Sequence, residues 1–181
     1  MKAAERPQEL IAFLRRLRAV RQFRSEPVPQ EVIDAILQVV RWSGSASNRQ
    51  PWDLVVIRDR ATLQALSQVE GHAAHLAGAA AGIVLVMAGD AGRVSQETYD
   101  EGRLSERIML AALAYGVGSC IGWFTGSGQA AAKKLLGIPE ERLVRTVISL
   151  GYPDEEARRR RPPVAQARKP VESFVHWERF R

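Results

Sequence analysis

Alternating helical and strand patterns predict one domain in which a β-sheet is covered by helices. The chain has 181 residues, a length that suits a single domain. Hydrophobic residues make up 46% of the chain and charged residues 25%, a balance typical of a protein that buries a core. The apolar stripes have the helical period, and the apolar runs between them are too short for helices and favour strands.

The first half of the chain predicts three helices and one strand. Apolar residues recur at helical spacing over residues 8–18, and Pro29 suits the first position of a second helix that ends near Ser43. The β-branched run 54–57 predicts a buried strand. Asp59 is placed to cap a helix over residues 60–69, because its carboxylate can accept a backbone N–H.

The second half continues the alternation. Residues 83–87 predict another buried strand, and an apolar face over residues 95–115 predicts a long helix that the glycines of 116–118 end. A strand over 119–124, a helix over 129–136 and a strand over 143–150 follow. The tail past Tyr152 is rich in Arg and Pro. Its end over 171–177 alternates in polarity and carries aromatic residues, which predicts a terminal strand that docks on another subunit.

Composition excludes several classes of protein and site. The longest nearly apolar run, residues 76–88, is shorter than the ~20 residues that a bilayer requires. The first residues show no apolar signal core and Cys120 is the only cysteine, so we expect a soluble, cytoplasmic protein without a disulfide. The net charge of +6 leaves nucleic-acid binding open, although basic runs such as 158–161 are more often solvated surface.

The patterns of several common catalytic sites are missing. The glycines of 116–118 follow a helix rather than a strand, which argues against a dinucleotide-binding turn. His72 and His75 lie three residues apart without a further cluster of metal ligands, and Cys120 lies in a predicted buried strand. We therefore predict no metal site and no catalytic side chain. If the protein is an enzyme, this favours one whose chemistry is performed by a bound cofactor.

The polar loop over residues 43–52 is the strongest functional signal. Its small residues allow a planar ligand to approach the backbone, and Asn48 and Gln50 offer amide donors and acceptors. An ordinary polar loop without a ligand is the alternative. In combination with its neighbours, this loop resembles the FMN-dependent nitroreductase family, whose motifs recur in family order at residues 18–23, 45–52, 100–102, 116–122, 136–139, 150–153 and 168–170.

The resemblance implies one α+β domain over residues 1–181, with a central mixed sheet flanked by helices in three layers. It implies a homodimer that binds FMN at its interface and exchanges a C-terminal arm, residues 152–181, between subunits. FMN would pass a hydride from NADH or NADPH through N5 to a nitroaromatic, a quinone or a similar acceptor by a ping-pong mechanism. The alternatives are dehalogenation, flavin breakdown, ene reduction, a deazaflavin donor, or a flavin-binding or basic interaction module without turnover.

The resemblance assigns the phosphate end of FMN to the N-terminal motif. Arg18 and Arg21 match its basic residues, and cations suit a phosphate and the pyrimidine end of a flavin. Leu17 and Ala19 stand where the family usually has Arg and Ser. The phosphate contacts are therefore open to redistribution, with Arg16 as a further candidate.

The remaining cofactor-binding residues are also assigned by position. The backbone of Gly122 and Trp123 matches the part of the family that faces the flavin N5 and O4 edge, and Arg168 with Lys169 matches the C-terminal phosphate ligand. Candidates for the walls of the acceptor slot are Trp42, His72 and Trp123. The full predicted cofactor-binding set is Arg18, Ala19, Arg21, Gly44, Ser45, Ser47, Asn48, Gln50, Gly122, Trp123, Arg168 and Lys169.

Overall fold

The computed structural model describes residues 6–160 and 168–180. The helices of this described part are α1 (Pro7–Leu14), α2 (Gln30–Arg41), α3 (Arg60–Ser67), α4 (Val94–Ala114), α5 (Ser127–Leu136) and α6 (Glu155–Arg159). Its strands are β1 (Trp52–Ile57), β2 (Ala81–Met87), β3 (Gly118–Trp123) and β4 (Leu143–Gly151). Short 3-10 turns cover Ala46–Asn48, Ala74–Gly78, Ala91–Arg93 and Val171–Ser173.

The four strands form one sheet in the order β1-β2-β4-β3, and every pair of neighbours is antiparallel. The expectation of a mixed sheet is therefore wrong for these four strands, because an apolar run predicts a strand but not its direction. A parallel contact is present as the single bridge between Ala19 and Ser119. β3 forms one edge of the sheet, which leaves part of its backbone available to other segments.

Helices cover both faces of the sheet, which confirms the three layers. On one face, α2 and α4 pack against side chains such as Ile83 and Ile148. On the other face, α3, α5 and the turn Ala74–Gly78 pack against Val84 and Val147. Every residue of β2 is buried because its side chains alternate between two covered faces.

The first helix is shorter than its apolar period predicts. α1 ends at Leu14 rather than at Arg18, because the chain turns there and runs to β3, where the Val20 N–H donates to the Ser119 carbonyl at 2.8 Å. The side chains of Leu10 and Ile11 remain about half exposed. Pairing with the sheet edge has thus replaced the last helical turn.

The C-terminal segment forms no strand, so the predicted strand over 171–177 is wrong for the described chain. Val171–Ser173 is a 3-10 turn, and the N–H groups of Ser173 and Phe174 donate to the carbonyls of Pro170 and Val171. A strand requires a neighbouring edge for its N–H and C=O groups, and alternation of side chains does not provide one. Of the basic run 158–161, Arg161 lies outside the described residues.

Helix α4 is the longest helix, at 21 residues, and it lies across the sheet. Within residues 6–160 and 168–180, none of the helices is long and apolar enough to cross a membrane. The buried face of α4 carries Leu104, Ile108 and Ala112, which are fully enclosed. Helix α4 also contacts β3, so its residues lie beside the edge strand of the sheet.

Candidate functional site

The N-terminal segment brings two predicted cations to the edge of β3. The bridge of Ala19 with Ser119 fixes the segment, and Val20 packs directly on Gly118. A Cβ atom at Gly118 would lie 2.8 Å from the Cβ of Val20, so this contact requires glycine. Arg18 and Arg21 flank this contact on the exposed side of the segment.

Arg18 is partly preorganised. Its Nη1 donates to the carbonyls of Arg15 and Leu17, both at 2.7 Å, at the C-terminal end of the turn after α1. Carbonyl partners orient a guanidinium without neutralising its charge. The segment therefore offers fixed positive charge to an anion.

His75 lies beside Gly122 near the C-terminal end of β3, on the face of the sheet opposite α4. A Cβ atom at Gly122 would lie 3.0 Å from His75 Nε2, so the imidazole fills the space that the glycine leaves. His75 Nδ1 is 2.8 Å from Ser149 Oγ, whereas the buried Nε2 has no hydrogen-bond partner. A buried polar atom without a partner is uncommon in folded proteins.

The surroundings of His75 favour its neutral form. Burial lowers the pKa of His75 below its ordinary value of 6.5, and the positive charge of Arg21 lowers it further. An uncharged ring with one unused nitrogen therefore lies close to a cation at the edge of β3. Sequence reasoning weighed His75 as a metal ligand only, because its partner Ser149 is 74 residues away and no periodicity connects the two.

Two of the three candidate slot walls are adjacent. The His72 N–H donates to the Trp123 carbonyl at 2.6 Å, and Gly71 bridges Phe124 next to them. The Trp123 side chain is 56% exposed, which leaves an aromatic surface at the end of β3. Trp42 lies on a different element, at the C-terminal end of α2, and is 75% exposed.

The loop over residues 43–50 has an unusual backbone. Ser47, Asn48 and Gln50 have φ angles of 53°, 53° and 51°, in the left-handed region that non-glycine residues rarely adopt. The Gln50 N–H donates to Ser45 Oγ at 2.8 Å, and Gln50 Nε2 donates to the Asn48 carbonyl at 3.2 Å. Such strain persists where surrounding contacts impose it, and it is common at ligand-binding sites.

This loop packs on the N-terminal half of α4. The Arg103 guanidinium lies directly over Gly44, so even a Cβ atom there would displace it. Arg103 also pairs with Asp100 at 3.7 Å, and Arg49 pairs with Asp90 at 3.6 Å. Sequence reasoning missed Arg103, since only the fold places it against the loop.

The predicted site residues fall into three groups within one chain. The N-terminal segment and β3 are brought together, as described above. Between described residues, no hydrogen bond or ion pair joins the loop 43–50 to the segment 18–21. Arg168 and Lys169 are exposed at the start of the segment 168–180, whose Phe174, Trp177 and Phe180 are also exposed. The described residues contain no group of three or more His, Cys, Asp or Glu that could hold a metal ion.

The comparisons with known proteins match this architecture. The model of the nitroreductase family matches residues 14–90, which include the N-terminal segment and the polar loop. A relative from Archaeoglobus fulgidus, named "Putative NADH dehydrogenase/NAD(P)H nitroreductase", is 32% identical over 153 residues, or 82% of this chain and 88% of the relative. The chain belongs to the nitroreductase family. The family predicted from the motifs is therefore confirmed, and with it the class of oxidoreductases.

Two further similar proteins extend the comparison. An NADPH-flavin oxidoreductase from Vibrio harveyi is 27% identical over 90% of this chain and 71% of its own length. The structure of an FMN-dependent nitroreductase from Clostridium difficile has a TM-score of 0.77 over 94% of this chain and 99% of its own, at 23% identity. This likeness confirms the nitroreductase-like α+β fold. The individual site residues stay predictions.

Proposed function

We propose that this nitroreductase-family chain is a homodimeric, FMN-dependent oxidoreductase that passes electrons from NADH or NADPH to a nitroaromatic, a quinone or a similar conjugated acceptor. The observation that carries the proposal is the pairing of the N-terminal segment with the edge of β3. This pairing places Arg18 and Arg21 on either side of the Ala19–Ser119 bridge. The names of the relatives from V. harveyi and C. difficile, which include a flavin and FMN, support the choice of cofactor.

The residues at this edge fit FMN. A phosphate needs cations, and Arg18, held by two carbonyls, and the exposed Arg21 supply them in the described chain. A ring with N–H and C=O groups on its edge needs polar partners, and β3 is an edge strand whose outer side has no neighbouring strand in the described sheet.

Bound FMN supplies reversible two-electron hydride transfer, a chemistry that amino-acid side chains lack. The residues of this chain hold and orient the ring, and they need no acid–base role of their own. Arg21 places positive charge at the edge where the neutral His75 ring also lies, which favours an electron-rich ligand. The Trp123 side chain lies on the opposite face of β3 from His75, towards α4, so in this proposal the flavin meets the backbone of Trp123 rather than its ring.

A second copy of the chain completes the site in this proposal. Residues 1–181 act as one FMN-binding domain, and the arm over 152–181 embraces the other subunit. Three large apolar side chains of that arm, Phe174, Trp177 and Phe180, are 57%, 78% and 89% exposed, and a soluble monomer rarely leaves such a set uncovered. The loop 43–50 and Arg168 with Lys169 then reach the segment 18–21 across the interface.

Anaerobic spectroscopy tests the proposal. The purified protein is expected to be yellow, to release FMN on heating, and to bleach when NADH or NADPH is added without air. Addition of a nitroaromatic or a quinone is then expected to restore the colour. A colourless protein that cannot be reconstituted with FMN would refute the cofactor, and a flavoprotein that neither nicotinamide bleaches would refute the donor.

A further inference from the structure

A cavity of about 500 Å³ lies at the end of the sheet where β1 ends and β2 begins. Its walls come from the chain around residues 23–27, from the start of α3 and from residues 78–80 before β2. Ligand pockets commonly start at ~300 Å³, so this volume suits a ligand larger than a single small ion. None of the described residues that are assigned to the flavin lines this cavity.

The chain after Arg21 leads from the edge of β3 to this cavity. The strand order β1-β2-β4-β3 places β2 two strand spacings, or about 10 Å, from β3. The chain crosses this distance along the end of β4, where Phe23 bridges Pro153 and the Arg24 N–H donates to the Tyr152 carbonyl at 2.8 Å. These contacts fix the backbone of Arg24 at the cavity, away from the edge of β3.

Three arginine side chains line the cavity: Arg24, Arg58 and Arg60. The Arg58 guanidinium donates from Nη1 to Gln30 Oε1 at 2.8 Å and from Nη2 to the Val28 carbonyl at 3.0 Å. The Arg60 guanidinium is held in the same way, since its Nη1 donates to the Ala79 carbonyl at 3.2 Å. Neutral oxygen atoms orient these two guanidinium groups and leave their positive charge intact.

The charges of Arg58 and Arg60 are not paired with carboxylates. Among the residues that the structure describes, neither guanidinium forms an ion pair, although Asp59 lies between the two arginines in the chain. The Asp59 carboxylate instead accepts the N–H and the hydroxyl of Thr62, both at 2.7 Å, at the start of α3. Two oriented cations at one cavity therefore favour a ligand with several negative charges.

Arg24 is the third cation, and it is shared with a carboxylate. Arg24 Nη1 lies 3.2 Å from Glu26 Oε2, and the Arg24 guanidinium carbon lies 5.4 Å from the centre of the Tyr152 ring. Both side chains of this ion pair are about half exposed, so water screens it and it is weak. An anionic ligand can therefore take the place of Glu26 beside Arg24.

We propose that this cavity binds a diphosphate group, either as free pyrophosphate or as the diphosphate of a nucleotide. A diphosphate offers several charged terminal oxygen atoms to the N–H groups of both Arg58 and Arg60, whereas a single phosphate has fewer to share between them. Phe23 and Leu63 add apolar walls beside the cations, against which the rest of a nucleotide can lie. This binding is independent of FMN and of electron transfer.

Calorimetric titration of the purified protein in buffer without phosphate or Mg²⁺ tests the proposal. The probes are phosphate, pyrophosphate, AMP and ADP. We expect pyrophosphate to bind about tenfold more tightly than phosphate, and ADP about tenfold more tightly than AMP. Tighter binding of ADP than of pyrophosphate identifies a nucleotide as the ligand, and the reverse order identifies the free diphosphate. Equal affinity for phosphate and pyrophosphate, or no binding of either diphosphate, would overturn the proposal.

Arg58→Gln tests the position of the ligand. The loss of one guanidinium is expected to weaken pyrophosphate binding about tenfold to a hundredfold. Arg41→Gln is the matched control, since it makes the same change of charge at an exposed arginine at the other end of α2, about 16 Å from Gln30, and is expected to keep the affinity. An unchanged affinity in Arg58→Gln, with the circular dichroism spectrum of the parent protein, would overturn the proposal.

Glu26→Gln tests the competition at Arg24. Removal of the carboxylate frees the Arg24 guanidinium, so this variant is expected to bind pyrophosphate about twofold to fivefold more tightly than the parent. A purely structural ion pair predicts no gain, and unchanged or weaker binding would overturn the role of Arg24.

Arg18→Gln separates this cavity from the proposed flavin edge. It is expected to weaken FMN binding and to leave pyrophosphate binding as it is in the parent. Loss of pyrophosphate binding in Arg18→Gln but not in Arg58→Gln would move the anion to the edge of β3 and overturn the inference. Failure of the bleaching experiment with intact pyrophosphate selectivity would refute the redox function alone.

Discussion

The substitution Gly118→Ala tests how the N-terminal segment is held on β3. The new methyl group would lie 2.8 Å from the Cβ of Val20 and 2.9 and 3.0 Å from its two γ carbons. Val20 is only 6% exposed and its N–H is bonded to Ser119, so the segment cannot move without loss of that bond. Overpacking of this kind typically destabilises a protein by about 1–3 kcal/mol.

The same displacement moves the two cations beside Val20. Arg18 and Arg21 then lose their positions relative to β3, and each hydrogen bond to a charged group contributes about 1.5–3 kcal/mol. We therefore expect Gly118→Ala to weaken FMN binding about tenfold to a hundredfold. Urea denaturation measures the first effect, and titration of flavin fluorescence measures the second.

Two further variants keep this prediction specific. Gly78→Ala is the control, since a Cβ atom there meets nothing within 4 Å, and its stability is expected to change by no more than about 0.5 kcal/mol. In the double variant with Val20→Gly, the Cβ atom and both γ carbons are gone, so Gly118→Ala is expected to cost about 1 kcal/mol less than alone. The reasoning fails if Gly118→Ala is as stable as the parent and binds FMN equally well, or if the two substitutions are simply additive.

Three other predictions follow from charge and burial. The pKa of His75 is lowered below 6.5 in the folded protein, so the neutral ring stabilises the fold above that pH, and this stabilisation is lost as the pH falls towards the lowered pKa. In urea midpoints measured against pH, His75→Gln is expected to flatten this loss, and His72→Gln is expected to preserve it. Arg168→Gln is expected to weaken FMN binding about tenfold or more in a fluorescence titration, whereas Arg179→Gln, further along the same arm, has no effect. Glu101→Leu is expected to lower the free energy of unfolding by about 3 kcal/mol, because it leaves Arg145 unpaired. Much of this loss is expected to return when Arg145→Leu is added. Equal stability of the single and double variants would contradict this.

Local patterns were sufficient to predict most of the secondary structure. The five predicted helices and the first four predicted strands all occur, with bounds shifted by a few residues, because apolar period and capping residues act over short distances. Asp59, for example, accepts the Thr62 N–H at 2.7 Å as its position before α3 predicts. The strand predicted over 171–177 is wrong because a strand depends on an edge that lies outside the segment itself.

The candidate site was predicted less completely. The motifs predicted two surfaces: the N-terminal segment, which holds Arg18 in place, and the loop 43–50, which has a strained backbone. The pairs His75–Ser149 and Glu101–Arg145 join residues 74 and 44 positions apart, and only the packing of the fold brings them together. Glu101 lies in one of the family motifs, but no periodicity could reveal that its partner is Arg145 or that His75 meets Ser149.

Native mass spectrometry of the purified protein tests the central claim most directly. If two chains jointly bind the cofactor, the main species has the mass of two 20.1 kDa chains with two FMN molecules, and Gly118→Ala shifts it towards flavin-free protein. A main species of one chain without flavin, unchanged after incubation with excess FMN, would contradict the account.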